Sequence, residues 1–385
     1  MKRSIAICFI CMAIMLLTGC WDRRETNDLA IITGVALDKT EEGLIELTVE
    51  IHSPGGSGNR SEMGGDSGGG KNKTILQTGK GVSLADAMED LDEKLSRQML
   101  WSHAEAIVIS KAFAETGIRD ELDFFVRHPE PRLRSYIFIS DGKAKEIIAL
   151  RPSLERSSSE VLIKLAESEV LMKVTLFDLM EMLKGESGTS VLPMVAKSPR
   201  EQGKAVLETV SYINRSAVLK QGKMIGSIND QLTRGVLWFR NEIKESIVTV
   251  KPEEADGYIS MDILKGRTVL IPEMDGHRLK MTVKIEMIDD VIQNQTDWNL
   301  KELEKLQMLE AALAQKIEQR LTDTLEIVQK ELKADIVGFA DEFRRKYPEK
   351  WKKEKADWEE RFATVEVTFD IEAEVLRTGR GSAPQ

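Results

Sequence analysis

The chain has 385 residues, of which 42% are apolar, 5% aromatic and 31% charged. At roughly 150 residues per domain this length suits two or three globular domains, and the high charge content excludes a polytopic membrane protein. Lysine and arginine number 54 against 64 aspartates and glutamates, so the net charge is -10. A chain this acidic lacks the general basic face that duplex nucleic acids require, and we expect no nucleic-acid partner.

The first 20 residues have the pattern of a bacterial lipoprotein signal. A basic start precedes 13 uninterrupted apolar residues, 5–17, and the sequence Leu17-Thr18-Gly19-Cys20 ends the pattern. As a helix the apolar run spans only about 20 Å, which is short for a hydrocarbon core of about 30 Å. We therefore predict a cleaved signal peptide over residues 1–19 and a lipidated Cys20 as the new N-terminus, with an uncleaved short anchor as the alternative.

All three cysteines fall within the first 20 residues, so the predicted mature chain has no thiol for a disulfide or a cysteine metal site. Strands predicted at Leu29–Leu37 and Ile45–Ile51 form a hairpin, and strict alternation in the second strand indicates one buried and one wet face. From Pro54 to Lys71, eight of 18 residues are glycine, which predicts a flexible loop. A third strand is predicted at Thr74–Thr78, and Ser83 is predicted to cap a helix.

Further along the chain, strands and helices continue to alternate. The patterns predict strands at His103–Ser110 and Arg134–Ser140 and helices at Arg119–Val126, Ser157–Val170 and Thr175–Lys184. Prolines and charge-rich turns between Leu192 and Gly203 indicate a boundary. We therefore predict an N-terminal domain over residues 20–200, which can contain two submodules, and a C-terminal domain over residues 205–378.

The second half is predicted to open with a hairpin and to continue as an antiparallel sheet. The hairpin strands are Val210–Leu219 and Met224–Ile228, and the sheet strands are Tyr258–Leu264, Thr268–Ile271 and Arg278–Met287. Asn299 and Glu302 are spaced as a capping box for a long helix at about 300–333, whose leucines step by three or four and so pack on the sheet. A coiled coil is the alternative.

The last predicted strand, at about 364–376, alternates apolar with polar residues without a break, which indicates a strand with one buried face. Taken together, the patterns predict an α+β fold with mixed, mostly antiparallel sheets and packed helices, in two to three modules behind the lipidated N-terminus.

No motif specifies an enzyme, a metal site or a cofactor site. The protease-like run Gly65-Asp66-Ser67-Gly68-Gly69 lies in the glycine-rich segment, with too short a chain before it to build a double barrel. Ser140-Asp141-Gly142-Lys143 lacks the companion motifs of penicillin-binding enzymes, and His103-Ala104-Glu105 lacks the two cysteines of a zinc deaminase. The four histidines are far apart in sequence. We expect no catalytic or metal-ligating residue and no cofactor.

One local charge feature differs from the acidic whole, and we name residues 344–355 the basic segment. Its seven basic and two acidic residues give a local charge of +5. The basic residues are Arg344, Arg345, Lys346, Lys350, Lys352, Lys353 and Lys355. Tyr347, Trp351 and Trp358 are interleaved with them. The segment is either a solvated helix face with packed aromatics or a contact for anionic lipid headgroups or an acidic partner.

Several runs, in this order along the chain, resemble the C-subunit lipoproteins of spore germinant receptors, the Ger(x)C family. They are Cys20-Trp21-Asp22-Arg23-Arg24-Glu25, Asp28-Leu29-Ala30-Ile31-Ile32-Thr33-Gly34, His128-Pro129-Glu130-Pro131-Arg132-Leu133-Arg134-Ser135-Tyr136, Thr233-Arg234-Gly235-Val236-Leu237-Trp238, Ala334-Asp335-Ile336-Val337-Gly338-Phe339 and Phe343-Arg344-Arg345-Lys346-Tyr347-Pro348. The resemblance covers almost the whole chain.

This resemblance implies a non-enzymatic subunit, held by its lipid at Cys20 on the outer face of the spore inner membrane. It further implies assembly with an A subunit and a permease-like B subunit that together respond to small nutrients and trigger germination, and a fold of three α/β modules. Two other classes stay open. A solute-binding lipoprotein of a transporter would need two similar lobes around a cleft, and a surface hydrolase would need a nucleophile with its base.

Overall fold

The computed structural model describes residues 28–52, 74–128, 131–199, 205, 207–244, 246–276 and 278–377. The predicted signal peptide, Cys20 and the glycine-rich loop at 54–71 lie outside these residues. The described strands form one sheet of nine strands and one of four, with helices packed on both. This arrangement confirms the predicted α+β class with mixed sheets.

The nine-stranded sheet is built from the chain up to residue 229. Its elements are β1 (Leu29–Lys39), β2 (Ile45–His52), β3 (Thr74–Gly81), α1 (Leu84–Glu93), β4 (Gln98–Leu100), β5 (Ala106–Ser110), α2 (Lys111–Ala114), α3 (Arg119–Arg127), β6 (Tyr136–Ser140), α4 (Ala144–Ile148), α5 (Ser158–Glu167), α6 (Leu176–Lys184), β7 (Thr189–Lys197), β8 (Ser211–Lys220) and β9 (Lys223–Asn229). A 3₁₀ turn, Trp101–His103, follows β4.

The strand order is β3-β2-β1-β5-β6-β7-β8-β9, with β4 beside β1. The central strands β1, β5, β6 and β7 pair in parallel, and the flanking strands pair antiparallel. Nearly every residue of β5 and β6 is buried, as expected for parallel strands with helices on both faces. Because parallel strands start at one edge of a sheet, the first residues of β1 and β7 lie along the same edge.

The prediction that one face of β2 is exposed to solvent is wrong. Glu46, Thr48 and Glu50 are 9%, 2% and 0% exposed, because α4 and α5 cover this face and bond to it. This face of the first sheet, which α4 and α5 cover, has its own small hydrophobic core, which includes Ala36, Val108 and Phe138. Alternation in sequence gives the chemistry of the two faces, and a helix from elsewhere in the chain decides whether the polar face meets water.

The structure also corrects the predicted position of the hairpin near residues 210–228. Its strands β8 and β9 extend the first sheet, since β8 pairs antiparallel with β7. β7 extends to Lys197, into the region 192–203 in which we expected a boundary, and Pro193 is buried inside this strand and does not interrupt it. The division into domains 20–200 and 205–378 stays a prediction, and one hydrophobic core includes residues of both sheets.

The second sheet has the order β10-β11-β12-β13. The elements of this half are α7 (Asp230–Phe239), β10 (Ile247–Val250), β11 (Ile259–Asp275), β12 (Arg278–Asn294), α8 (Leu303–Leu325), α9 (Phe339–Lys346), α10 (Pro348–Glu354), α11 (Trp358–Phe362) and β13 (Glu366–Arg377). The two predicted strands at 258–264 and 268–271 are one strand with a bulge near Leu264. β13 alternates between half-buried and exposed residues and pairs in parallel with β12.

The long helix α8 buries one stripe of side chains against the second sheet and α7, and a π-helical turn, Glu326–Glu331, extends it. The predicted capping box is wrong. The helix begins at Leu303, and Glu302 makes no side-chain capping bond because its carboxylate accepts from the Asn299 side chain at 3.0 Å. Gly235 lets α7 approach α8 closely, since a Cβ at this position would lie 2.0 Å from Thr324 Oγ1.

The pairing of β2 with β3 bears on the glycine-rich loop, because His52 and Thr74 are direct partners in the register. Opposed residues of an antiparallel pair lie only about 5 Å apart. The five residues that remain between His52 and Thr74 after deletion of Gly55 to Gly70 are therefore enough to join the two strands. Deleting Gly55 to Gly70 should therefore change the melting temperature of the unlipidated chain by no more than about 2 to 4 °C, measured by calorimetry. A drop of about 10 °C or more would show that the segment carries folding contacts.

Candidate functional site

The basic segment lies on α9, α10 and the 3₁₀ turn that follows them. Its aromatic neighbours face inward: Trp351 and Trp358 are 2% and 5% exposed, and their rings meet edge to face at 4.9 Å. All seven basic side chains are exposed. The aromatic residues therefore hold the segment on the core, and the charges point to solvent.

Part of this positive charge is paired within the chain. Arg344 forms an ion pair with Glu186 at 2.9 Å, and Lys352 pairs with Glu349 at 2.8 Å. The other contacts are an Arg345–Glu342 ion pair, a hydrogen bond from Lys346 to the Pro272 carbonyl at 2.7 Å, and Lys350 over the Tyr347 ring at 5.4 Å. Lys353 and Lys355 form no hydrogen bond or ion pair with another described residue. These two lysines and Lys350 are the charges with most freedom to meet an anionic partner.

Glu186, in the turn between α6 and β7, joins the basic segment to the first sheet. One oxygen of its carboxylate accepts from Trp351 Nε1–H at 2.7 Å, and the other pairs with Arg344. The hydrogen bond from Trp351 and the pairing with Arg344 lower the pKa of Glu186. The carboxylate therefore stays ionised and fixes α9 and α10 beside the start of β7.

Asp335 holds the same region in place from the buried side. Its carboxylate is 4% exposed and accepts hydrogen bonds from the backbone N–H groups of Gly338, Phe339 and Ala340, at 2.6 to 3.0 Å. It also accepts from Trp358 Nε1–H at 3.0 Å. These bonds satisfy the first N–H groups of α9, which a helix cannot satisfy by itself. Burial raises the pKa of Asp335, and the four hydrogen bonds oppose that shift.

Two further buried carboxylates start helices on the second face of the first sheet. Asp38 on β1 accepts from the backbone N–H groups of Ala144 and Lys145 at 2.8 and 2.9 Å, at the start of α4. Glu50 accepts from Ser158 N–H at the start of α5, at 3.3 Å. Burial raises the pKa of both carboxyl groups, and their hydrogen bonds oppose the shift. Negative charge at a helix N-terminus is stabilising, so both groups act as structural caps.

Asp289 on β12 is a buried carboxylate of another kind. It is 0% exposed, and neither oxygen has a hydrogen-bond partner among the described residues. Burial, with smaller contributions from Asp262 and Asp290, raises the pKa of Asp289 from 3.8 to about 7. Below pH 3.8 the group is neutral in the folded and the unfolded chain. Between pH 3.8 and 7 only the unfolded chain loses this proton, so the contribution of Asp289 to the free energy of unfolding falls as the pH rises. Above about pH 7 that contribution no longer changes.

Asp289→Asn should remove this pH dependence. We expect the variant to be more stable than the wild type by about 4 kcal/mol at pH 8, measured by urea unfolding, and the difference to vanish near pH 4. Asp275→Asn, at the exposed end of β11, is the control and should change stability little at either pH. A constant difference between Asp289→Asn and the wild type from pH 4 to pH 8 would contradict the assignment.

The motifs that imitate enzymes have structural roles. Ser140 Oγ donates to the Gly142 carbonyl at 3.0 Å, and Asp141 pairs with Arg215 at 3.0 Å, so the Ser140–Lys143 run is a turn. Glu105 pairs with Arg134 at 3.2 Å. Within the described ranges, no three His, Cys, Asp or Glu residues are grouped to hold a metal ion. The protease-like run at 65–69 and Cys20, the predicted lipidation site, lie outside the described residues.

Sequence reasoning found the basic segment but missed the two carboxylates that hold it. Glu186 is about 160 residues from its partners in sequence, and nothing local distinguishes it from an ordinary surface glutamate. Asp335 lies three residues before Gly338, the N-cap of α9, so the usual capping pattern, which concerns the N-cap residue itself, does not identify it. Within the described part of the chain, no helix is long and apolar enough to span a bilayer.

The fold is shared with a solved structure. The crystal structure of the GerBC protein superposes with a TM-score of 0.59 at 19% identity, over 89% of this chain and 97% of that one. Two family descriptions match in succession: "Spore germination protein N-terminal domain" over residues 22–197 and "Spore germination B3/GerAC like, C-terminal" over residues 214–379.

The chain therefore belongs to the GerAC-like family of spore germination proteins. It is similar along nearly its full length to three proteins of Bacillus subtilis (strain 168). Spore germination protein YndF is 28% identical, with 98% of each chain covered. Spore germination protein KC is 24% identical over 100% of this chain and 98% of its own. Spore germination protein B3 is 24% identical over 98% of this chain and 99% of its own. These relatives confirm the family resemblance seen in the sequence.

Proposed function

We propose that the chain is a non-enzymatic, lipid-anchored subunit of a nutrient germinant receptor, which assembles with an A-type subunit and a permease-like B-type subunit. The observation that carries the proposal is the similarity to spore germination proteins over essentially the whole chain, signal region included. The lipid would be attached at Cys20 and would hold the body on the outer face of the spore inner membrane.

The topology of the first sheet supports an orientation on that membrane. β1 begins at Leu29, nine residues after Cys20, so the anchor point lies at most about 30 Å from the start of β1. β7 starts at the same edge of the sheet, three strands or about 14 Å away. Glu186, which binds Trp351 and Arg344, lies three residues before the start of β7. This topology supports the proposal that the basic segment faces the membrane: an anchor at Cys20 would hold that side of the body near the lipid headgroups.

The two sheets also bear on the alternative of a solute-binding lipoprotein. Such a protein needs two similar lobes with a hinge and a cleft. Here the described sheets have nine and four strands with different orders, and one hydrophobic core runs between them. This architecture favours an assembly subunit over a hinged solute-binding protein.

Replacing Lys350, Lys352, Lys353 and Lys355 by glutamine should weaken binding of the unlipidated chain to anionic vesicles by about tenfold or more at low salt. Each lysine that reaches an anionic surface contributes about 1 kcal/mol, and Lys352 is already paired with Glu349. The loss should shrink as salt rises, because screening weakens the attraction. Vesicle co-sedimentation measures the affinity.

The matched control replaces Lys39, Lys111, Lys143 and Lys197, which lie at the opposite edge of the same parallel strands. This variant has the same net charge, and we expect it to bind vesicles like the wild type. Equal losses of vesicle affinity in the two variants would mean that net charge alone, and not the position of the lysines, determines binding. No loss in either would make the basic segment only a solvated face.

The proposed function itself is tested in spores. Spores without this chain should fail to germinate with the nutrients that its receptor senses and should respond normally to other nutrients. Expression of the wild-type chain should restore the response, and expression of the Cys20→Ala variant should restore little of it. A full response to every nutrient tested, in spores that have no related subunit, would contradict the proposal.

A further inference from the structure

A groove of about 430 Å³ lies between α1 and α3, at the end of the first sheet where β4 pairs with the start of β1. Its lining is largely apolar, with Met88, Met99, Trp101 and Phe124 as the main side chains, and Glu89 and Asp92 are exposed beside them. The groove is part of neither the basic segment nor its anchoring carboxylates.

Two polar atoms of the lining have no hydrogen-bond partner among the described residues. Trp101 is 2% exposed, and its indole Nε1–H makes no hydrogen bond to another described residue. The ring of His128 stacks on that of Phe124, with 5.3 Å between the ring centroids. Its buried Nδ1 also has no hydrogen-bond partner among the described residues. Buried indole N–H groups usually have a partner, and an unmet one costs free energy. Because Trp101 lines the groove, a bound molecule whose acceptor reaches this N–H would satisfy it.

Two carboxylates add a charge preference. Glu89 and Asp92 are three residues apart on α1 and so lie on one face of the helix. Neither carboxylate forms an ion pair with another described residue, whereas Asp90 on the same helix is paired with Lys94 at 2.6 Å. Unpaired carboxylates beside aromatic rings attract cations, because both the charge and the ring faces favour them.

We propose that this groove binds small organic ammonium ions that have an apolar body and a hydrogen-bond acceptor. The apolar body would lie on Met88, Met99 and Phe124, while Glu89 and Asp92 hold the ammonium group. The acceptor would take the hydrogen bond from Trp101 Nε1–H. This binding does not depend on receptor assembly, so its failure would leave the proposed function untouched.

The test uses phenylalaninol, which has an ammonium, a phenyl and a hydroxyl group, and the neutral analogue 3-phenyl-1,2-propanediol, in which a hydroxyl replaces the ammonium. The mature chain with Cys20→Ala is titrated and followed by ¹H–¹⁵N spectra, with the Trp101 indole resonance assigned by Trp101→Phe. We expect that resonance to shift saturably with phenylalaninol and the diol to bind about tenfold more weakly or worse.

The double variant Glu89→Gln with Asp92→Asn should raise the Kd for phenylalaninol by about tenfold. Its matched control is Glu41→Gln with Glu42→Gln, an exposed pair at the far end of β1 that should leave the Kd unchanged. The proposal is overturned if the Trp101 resonance does not move, if the diol binds equally well, or if the two double variants weaken binding equally.

Discussion

Cys20→Ala should release the chain from the membrane and leave its fold intact. The thiol is the acceptor for the predicted diacylglyceryl group, and each buried CH₂ of an acyl chain contributes about 0.8 kcal/mol to membrane binding. On the proposed function, loss of all acyl chains would remove the main anchor and leave only a salt-sensitive attraction through the basic segment. Membrane fractionation and intact mass spectrometry of the N-terminus measure the two effects.

The wild-type chain is the control, and its mature N-terminus should be a lipidated Cys20 without residues 1–19. Urea unfolding of the released Cys20→Ala chain should match that of the delipidated wild type, because β1, the first described strand, begins nine residues later. An unmodified Cys20 in the wild type, or retention of residues 1–19, would contradict the predicted lipoprotein signal.

Asp335→Ala should destabilise the folded chain by about 3 to 5 kcal/mol. The substitution leaves three backbone N–H groups at the start of α9 and the Trp358 indole N–H buried without an acceptor. Unmet buried donors each cost about 1 to 3 kcal/mol, and partial relaxation lets water reach some of them. Urea unfolding with a tryptophan fluorescence signal measures both the stability and the release of Trp358.

The matched control is Asp341→Ala, which removes an exposed aspartate from the first turn of the same helix. Its cost should stay below about 1 kcal/mol, the usual contribution of a charge near a helix end. A loss for Asp335→Ala as small as this would mean that the buried carboxylate does not hold α9 and Trp358 in place.

Local signals in the sequence located much of the secondary structure. Ser83 caps α1 by accepting from Asp86 N–H at 3.2 Å, and Thr175 forms a capping box with Asp178 at the start of α6. The alternation in β13 survives in its burial pattern. These features depend on neighbours within a few residues, so propensity and spacing are sufficient to find them.

Two of the errors have non-local causes. Glu50 is polar in sequence, yet α5 from more than 100 residues away covers it and provides one of its hydrogen bonds. Pro193 resembles a chain break but lies in a buried strand between two partners. The basic segment was evident from charge alone, whereas its position beside the start of β7 depends on the contacts of Arg344 and Trp351 with Glu186.

The most direct measurement of the proposed role is purification of the tagged wild-type chain from detergent-solubilised spore membranes, followed by quantitative mass spectrometry. We expect a polytopic permease-like protein and an A-type subunit to co-purify in a constant ratio across independent preparations, together with the lipidated chain. Recovery of the lipidated chain alone, from membranes in which both other subunits are detected, would contradict the assignment as a receptor subunit.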